Sequence, residues 1–103
     1  KWAHAFGTGT LLKPETFKQL ISKPESAARD DLYFASGFVV ANGWFVQNPN
    51  FNGYCGAFGY FPENELTVIL YTTQSADPSS GEQAFNIFKE LVKMLTPEAE
   101  INF

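Results

Sequence analysis

The sequence predicts a single α+β domain over residues 1–103, in which an antiparallel sheet of three to four strands packs against N-terminal and C-terminal helices. Three observations lead to this prediction. The 103-residue chain has the size of one domain. Apolar residues at helical spacing occur near both ends of the chain, and β-branched or aromatic runs separated by turn sequences fill the middle.

Two short helices are predicted near the N-terminus. Residues 2–6 form an amphipathic segment, and Gly7-Thr8-Gly9 follows with the glycines that commonly end helices. Pro14 suits the first position of a second helix, and apolar residues continue at helical spacing to Ile21 before Pro24 ends the run.

The middle of the chain predicts the strands. Residues 32–40 favour one strand, and Ala41-Asn42-Gly43 is a strong hairpin signal leading into residues 44–46. In residues 54–61 both the odd-numbered and the even-numbered positions carry apolar side chains, which is typical of a strand covered on both faces. Residues 66–73 are rich in β-branched side chains, and we expect them to pair antiparallel with residues 54–61.

A longer helix is predicted after the polar loop of residues 74–81. Ser80 and Gln83 have the spacing of a capping box, so the helix is expected to run from Glu82 to Leu95. Its apolar residues form one broad stripe. Pro97 ends it, and the last residues are expected to form a loose tail.

Composition excludes several classes of partner. The net charge is -4 and the seven Lys and Arg residues do not cluster, so no nucleic-acid surface is expected. The chain has no apolar run long enough for a membrane span. One His and one Cys cannot form a metal-ligand set or an internal disulfide, so no metal or other cofactor is predicted. The aromatic share of 17%, with eleven Phe, is high and requires a partner surface.

Few side chains suggest catalysis. His4 lies on a predicted helix between aromatic residues and is interpreted as structural or exposed rather than as a general base. Cys55 lies inside an apolar strand without a basic neighbour, which favours an inert buried thiol. The carboxylates of predicted turns are interpreted as solvated residues; they are Asp30, Asp31, Glu63 and Glu65.

Three motifs occur in order along the chain: WAHAFGTGTLLKPETF at residues 2–17, GFVV at residues 37–40 and GYCGAFGYFPE at residues 53–63. They resemble the segments W-A-x-A-L-x-x-G-x-L-L-S-P-E-S, Y-G-L-G-F and G-Y-S-S-x-x-A-Y-x-P-E of serine hydrolases of the β-lactamase and penicillin-binding protein superfamily. The most similar branch comprises class C β-lactamases, D-alanyl-D-alanine carboxypeptidases and esterases. The resemblance implies that residues 1–103 are the C-terminal segment of a larger hydrolase domain, with a partial β-lactamase-like fold.

The resemblance also implies a substrate-binding strand. In that superfamily a Lys-Thr-Gly or His-Thr-Gly triad precedes the Gly-Tyr pair, and the spacing puts Gln47, Asn48 and Pro49 at those positions. Gln47, Asn48, Gly53 and Tyr54 are therefore the expected substrate-binding residues. Gln47 carries no charge, so the cation that would bind a substrate carboxylate is missing and an esterase-like or degenerate site is favoured.

The nucleophile of the superfamily lies in a Ser-x-x-Lys motif, which this sequence does not contain. Ser22 is followed directly by Lys23, and Ser26 is followed three residues later by Arg29. No catalytic residue is therefore assigned, and the chain alone is expected to be inactive.

The resemblance further implies partners and a compartment. The terminal helices would cover one face of the sheet, and an upstream catalytic half or a self-associating mate would cover the other. The whole enzyme would act on a small-molecule ester or amide and would be exported to the periplasm, the cell envelope or the medium. The alternative is a freestanding, non-catalytic binding or interaction domain derived from that fold.

Overall fold

The predicted α+β class is confirmed. The computed structural model describes the backbone of residues 1–103 and the side chains of residues 1–77 and 80–103. Within that backbone the helices are α1 (Trp2–Gly7), α2 (Pro14–Leu20) and α3 (Gln83–Leu95). The strands are β1 (Leu32–Phe34), β2 (Val39–Ala41), β3 (Trp44–Gln47), β4 (Asn50–Phe51), β5 (Tyr54–Phe61) and β6 (Leu66–Thr73). Short 3-10 helices cover Pro62–Asn64, Pro78–Glu82 and Pro97–Ala99.

All strand pairs are antiparallel, and the described backbone forms one six-stranded sheet where three to four strands were expected. The order is β1-β2-β3-β5, with β6 on the far side of β5. One edge of β5 pairs with two strands. The short strand β4 pairs with the first residues of β5, and β3 pairs with residues nearer its end. The central strand β5 therefore has a neighbour along both edges.

The single strand predicted over residues 32–40 is wrong, because the chain turns back in the middle of it. Gly37 has a φ of 94°, in the left-handed region that favours glycine. The N–H of Ala35 donates to the carbonyl of Phe38 at 2.9 Å, which closes the turn. The result is the hairpin of β1 and β2.

The two other predicted hairpins are confirmed. Asn42 and Gly43 both have positive φ, 47° and 89°, as the turn of a tight two-residue hairpin requires between β2 and β3. The register of β5 and β6 runs from Tyr54 opposite Thr73 to Phe61 opposite Leu66. Both long strands therefore pair over their whole length.

The helices α1 and α3 lie on opposite faces of the sheet. A Cβ placed on Gly59 of β5 would come within 2.6 Å of the Phe88 ring of α3. A Cβ placed on Gly7 of α1 would come within 2.0 Å of the ring of Tyr60, the next residue of β5. Because successive side chains of a strand point to opposite faces, we call the two sides the α3 face and the α1 face. The two terminal helices thus do not share one face, contrary to what the resemblance implies.

The main hydrophobic core lies on the α3 face. The indole of Trp44 is fully buried and stacks on Phe61 with ring centroids 5.1 Å apart. Phe88 approaches the same indole edge-on, at 6.0 Å. The indole Nε1 donates to the Thr96 hydroxyl at 3.2 Å, and Val92 is fully buried beside them. Every side of the Trp44 ring system is therefore occupied.

Two details of the C-terminal prediction are wrong. The Ser80 hydroxyl donates to the carbonyl oxygens of Asp77 and Ser75, at 2.7 and 3.3 Å, and α3 begins without a side-chain cap. The end of the chain is not a loose tail, because Ala99 and Ile101 are buried in the core. Helix α3 ends at Leu95, before Pro97, as predicted.

Candidate functional site

The segment expected to bind substrate follows β3 along the edge of β5. Gln47 lies opposite Phe58, and Asn50 lies opposite Cys55. The two strands therefore share one register, interrupted by Asn48 and Pro49. Pro49 has no N–H to donate, but its carbonyl accepts from the N–H of Gly56 at 2.8 Å.

The structure separates the four residues expected to bind substrate. Gln47 lines a pocket on the α1 face, whereas Asn48 lines a pocket on the α3 face. Gly53 lies in the turn between β4 and β5 with a φ of 87°. Tyr54 shares the α1 face with Gln47, but it lies four positions along β5 from Phe58, the residue opposite Gln47, which corresponds to roughly 13 Å. Only Gln47 and Tyr54 thus share a face, and they are not in one pocket.

The pocket beside Gln47 is apolar, and we call it the aromatic pocket. Its volume is about 140 Å³. It is lined by Trp2, Phe6, Gly37, Phe38, Phe45, Val46, Gln47 and Phe58. The ring of Phe6 meets that of Phe38 edge-on at 5.0 Å, and Phe38 meets Phe45 at 5.3 Å. The Gln47 side-chain Nε2 donates to the carbonyl oxygen of Gly37.

A second, wider pocket lies beside Asn48, and we call it the polar pocket. Its volume is about 450 Å³, and Asn48, Asn50, Glu82, Asn86 and Lys89 contribute to its lining. The ammonium of Lys89 donates to the Phe103 carbonyl at 3.2 Å and lies 5.2 Å from the centre of the Phe85 ring. Asn50 donates to the carbonyl of Gly81 at 3.4 Å. These contacts join the C-terminal residue to α3 and β4 to the segment just before α3.

The nucleophilic and basic side chains do not converge. His4 is exposed, and its ring meets that of Tyr60 edge-on at 5.7 Å. Cys55 is buried, 2.9 Å from the Thr72 hydroxyl and 3.4 Å from the Ser80 carbonyl. Among the side chains that the structure describes, no group of His, Cys, Asp and Glu could hold a metal ion. The side chains described provide no nucleophile–base pair.

The carboxylates of the predicted turns are solvated, as expected. Asp30 pairs with Lys23, and Asp31 accepts two hydrogen bonds from Arg29. The hydrogen bonds from Arg29 lower the pKa of Asp31, and the same contact raises the pKa of Arg29. Both partners of this pair are exposed. They line a small cavity of about 40 Å³ together with residues of β1, β2 and the C-terminal segment, and neither of them lines the aromatic or the polar pocket.

Tyr60 is the buried titratable group of the α1 face. Its ring packs between α1 and the sheet, and burial raises its pKa above the ordinary value of 10.0, with a further contribution from the negative charge of Glu65. Tyr60 therefore stays neutral at physiological pH and acts as a packing residue.

Comparisons with known proteins assign the chain to no family. A scan against protein-family models finds no match, and a search of curated proteins finds none either. None of the helices in the described part of the chain is long and apolar enough to cross a bilayer. The function must therefore be inferred from the two pockets, the sheet and the ordered motifs.

Most of the aromatic pocket could not be predicted from the sequence. Its rings come from α1, the β1–β2 turn, β3 and β5, which are far apart along the chain. The available signal was the excess of Phe, which indicates an aromatic cluster but not its location. Gln47 alone was predicted, through the resemblance and not through its neighbours.

Proposed function

We propose that this chain supplies the sheet and one pocket wall of a β-lactamase-like serine hydrolase of the carboxypeptidase, β-lactamase or esterase type. The Ser-x-x-Lys nucleophile would come from a separate segment. In that enzyme the serine hydroxyl attacks an ester or amide carbonyl, the alcohol or amine leaves, and water releases the acid from the acyl-enzyme. The same resemblance leads us to propose an exported enzyme.

The observation that carries this proposal is the incomplete cover of the α1 face. Tyr54, Ile69 and Tyr71 lie on this face, and each side chain is more than half exposed, at 58%, 55% and 56%. We call these three residues the open patch. Large apolar side chains grouped on one sheet face are typical of a surface that another segment covers. An upstream catalytic segment would supply that cover and the nucleophile together.

The uncharged side chain of Gln47 favours an uncharged substrate for the proposed enzyme. An amide at this position offers hydrogen bonds but no positive charge for a substrate carboxylate. We therefore favour an ester or amide without a carboxylate near the reacting carbonyl. Gln47 would act as a positioning residue.

A serine-reactive fluorophosphonate probe tests the proposal. The chain should not react alone. It should restore labelling when mixed with the separately expressed segment encoded upstream, and a Ser→Ala change in Ser-x-x-Lys of that segment should abolish the labelling. An upstream segment without Ser-x-x-Lys, or one that labels equally well without this chain, would contradict the proposal.

Two matched substitutions test whether the open patch is the surface that is covered. Ile69→Lys puts a charge on the open patch, whereas Ile87→Lys puts one on α3, where Ile87 is 45% exposed. We expect Ile69→Lys to weaken association with the upstream segment on the order of tenfold or more, because a charge would be buried without a partner. Ile87→Lys should leave association unchanged. Equal effects in titration calorimetry would show that another surface is used.

A non-catalytic binding domain is the second candidate. The observation that favours it is the aromatic pocket of about 140 Å³, whose uncharged lining suits a small ligand. A chain that stays monomeric, does not bind the upstream segment and still binds a small ligand would support this candidate over the first.

A further inference from the structure

The aromatic pocket has the size of a single ring. A cavity of about 150 Å³ lined by apolar side chains accepts one benzene molecule, and this pocket measures about 140 Å³. Five of its eight lining residues are aromatic: Trp2, Phe6, Phe38, Phe45 and Phe58. Because aromatic rings pack favourably edge-on or offset against one another, an aromatic ligand suits this lining better than an aliphatic one.

The lining also excludes a charged ligand. None of the eight lining residues carries a charge. A carboxylate or an ammonium would lose its hydration there without gaining an opposite charge, which is strongly unfavourable. The group that enters the pocket must therefore be neutral.

Gln47 adds one polar requirement. Its amide nitrogen faces the carbonyl oxygen of Gly37, and two oxygens would repel each other, so this contact fixes which end of the amide is the nitrogen. The amide oxygen is then the acceptor that Gln47 offers to a ligand. A hydroxyl or N–H group on the ring would donate to it.

We propose that the aromatic pocket binds a neutral, single-ring aromatic group that carries one hydrogen-bond donor, such as a phenol. This proposal goes beyond the proposed hydrolase function, because it concerns a ligand of the aromatic pocket itself. It holds whether or not a catalytic segment joins the chain.

Amide-detected NMR titrations of the isolated chain with phenol, toluene and benzoate test this proposal. Phenol should shift the backbone N–H of Gly37, the side-chain amide of Gln47 and the indole N–H of Trp2. Toluene should shift the same signals with an affinity about three- to tenfold lower, because it cannot donate the hydrogen bond. Benzoate should leave them unchanged at the same concentration. Equal binding of benzoate, or no phenol shifts at these positions, would overturn the proposal.

Two substitutions and one matched control locate the site. Phe58→Trp adds a larger ring to the lining and should abolish the phenol shifts. Phe34→Trp makes the same change at an exposed position on the α3 face, outside the pocket lining, and should preserve them. Trp2→Ala removes an exposed wall without touching the core, so it tests the site even if Phe58→Trp fails to fold. It should weaken phenol binding on the order of tenfold.

Gln47→Met removes the acceptor while keeping an unbranched side chain. It should reduce the preference for phenol over toluene to about one. Phenol binding that survives both Phe58→Trp and Trp2→Ala, or a phenol preference that survives Gln47→Met, would overturn the proposal.

Discussion

The two faces of the sheet differ in how completely they are packed. On the α3 face, Trp44, Phe88 and Val92 are fully buried, and α3 and the C-terminal residues cover them. On the α1 face, the six-residue helix α1 leaves the aromatic pocket at one end and the open patch over β5 and β6. Both faces are rich in large apolar side chains, so amino-acid composition does not explain the difference.

The difference indicates a division of roles between the faces. Protein cores are packed with few voids larger than a water molecule, and the cluster around Trp44, Phe88 and Val92 on the α3 face fits that description. The polar pocket lies on the same face, beside the first half of α3. A ring-sized pocket and exposed apolar side chains are instead typical of surfaces that bind ligands or partners. We infer that the buried cluster of the α3 face holds the fold together and that the aromatic pocket and the open patch of the α1 face are used for binding.

The largest expected effect is the loss of a core ring on the α3 face. Phe88→Ala should lower the free energy of unfolding by about 4 kcal/mol, because it leaves a cavity between Trp44 and Gly59. Phe6→Ala on the α1 face should cost about 2 kcal/mol, since Phe6 is only partly buried and already borders a pocket. Urea denaturation measures both. Equal losses would show that the α1 face belongs to the core as fully as the α3 face does.

Two glycines allow the packing of the two faces to be compared directly, because each lies against an aromatic ring. Gly59→Ala should destabilise the fold by about 3 kcal/mol, because its methyl group would collide with Phe88 and Trp44. Gly7→Ala would collide with Tyr60. It should cost only about 1 kcal/mol, because the short helix α1 can move outward. A larger loss for Gly7→Ala in thermal unfolding would contradict the view that α1 is loosely held.

The next largest loss of stability is expected when the buried hydrogen bond on the α3 face is removed. Thr96→Val preserves the shape of the side chain but leaves the indole N–H of Trp44 without its acceptor, at a cost of about 2 kcal/mol. Thr96→Ser keeps the hydroxyl and should recover most of that loss. If both variants lose equally, the methyl group and not the hydrogen bond is what stabilises this position.

Much of the fold could be predicted because local sequence dictates it. Asn42-Gly43 adopts the positive φ angles that its residue types favour, and the β5–β6 pairing follows from two apolar runs joined by a turn. The errors had one local and one tertiary cause. Gly37 divides what looked like one strand, and Ala99 and Ile101 are ordered by burial in the core rather than by a local pattern.

The candidate site was less predictable than the fold. The resemblance placed Gln47 and Asn48 in one pocket, but neighbouring residues of an extended strand point to opposite faces, and each lines a different pocket. That alternation was available from the sequence. The meeting of Trp2, Phe38 and Phe58 around Gln47 was not, because it depends on where α1 docks on the sheet.

The smallest effect concerns Tyr60 and appears only at alkaline pH. Its raised pKa in the folded chain means that the unfolded chain loses the tyrosine proton first, at about pH 10. Above that pH the unfolded state binds fewer protons than the folded state, so the free energy of unfolding falls as pH rises until Tyr60 also ionises in the fold. Below about pH 9 this contribution is fully present and independent of pH.

Urea denaturation between pH 8 and 11, as an experimental range about the ordinary tyrosine pKa of about 10, measures this dependence. Tyr60→Phe should remove part of the alkaline loss, because it removes the buried hydroxyl. Tyr71→Phe, which removes an exposed hydroxyl from the same face, should keep the loss that Tyr60 causes. If Tyr60→Phe follows the original chain at every pH, Tyr60 is hydrated in solution, and α1 covers the sheet less tightly than its contact with Tyr60 indicates. The α1 face would then be open at Tyr60 as well as at the open patch, which would strengthen the case that a second segment covers it.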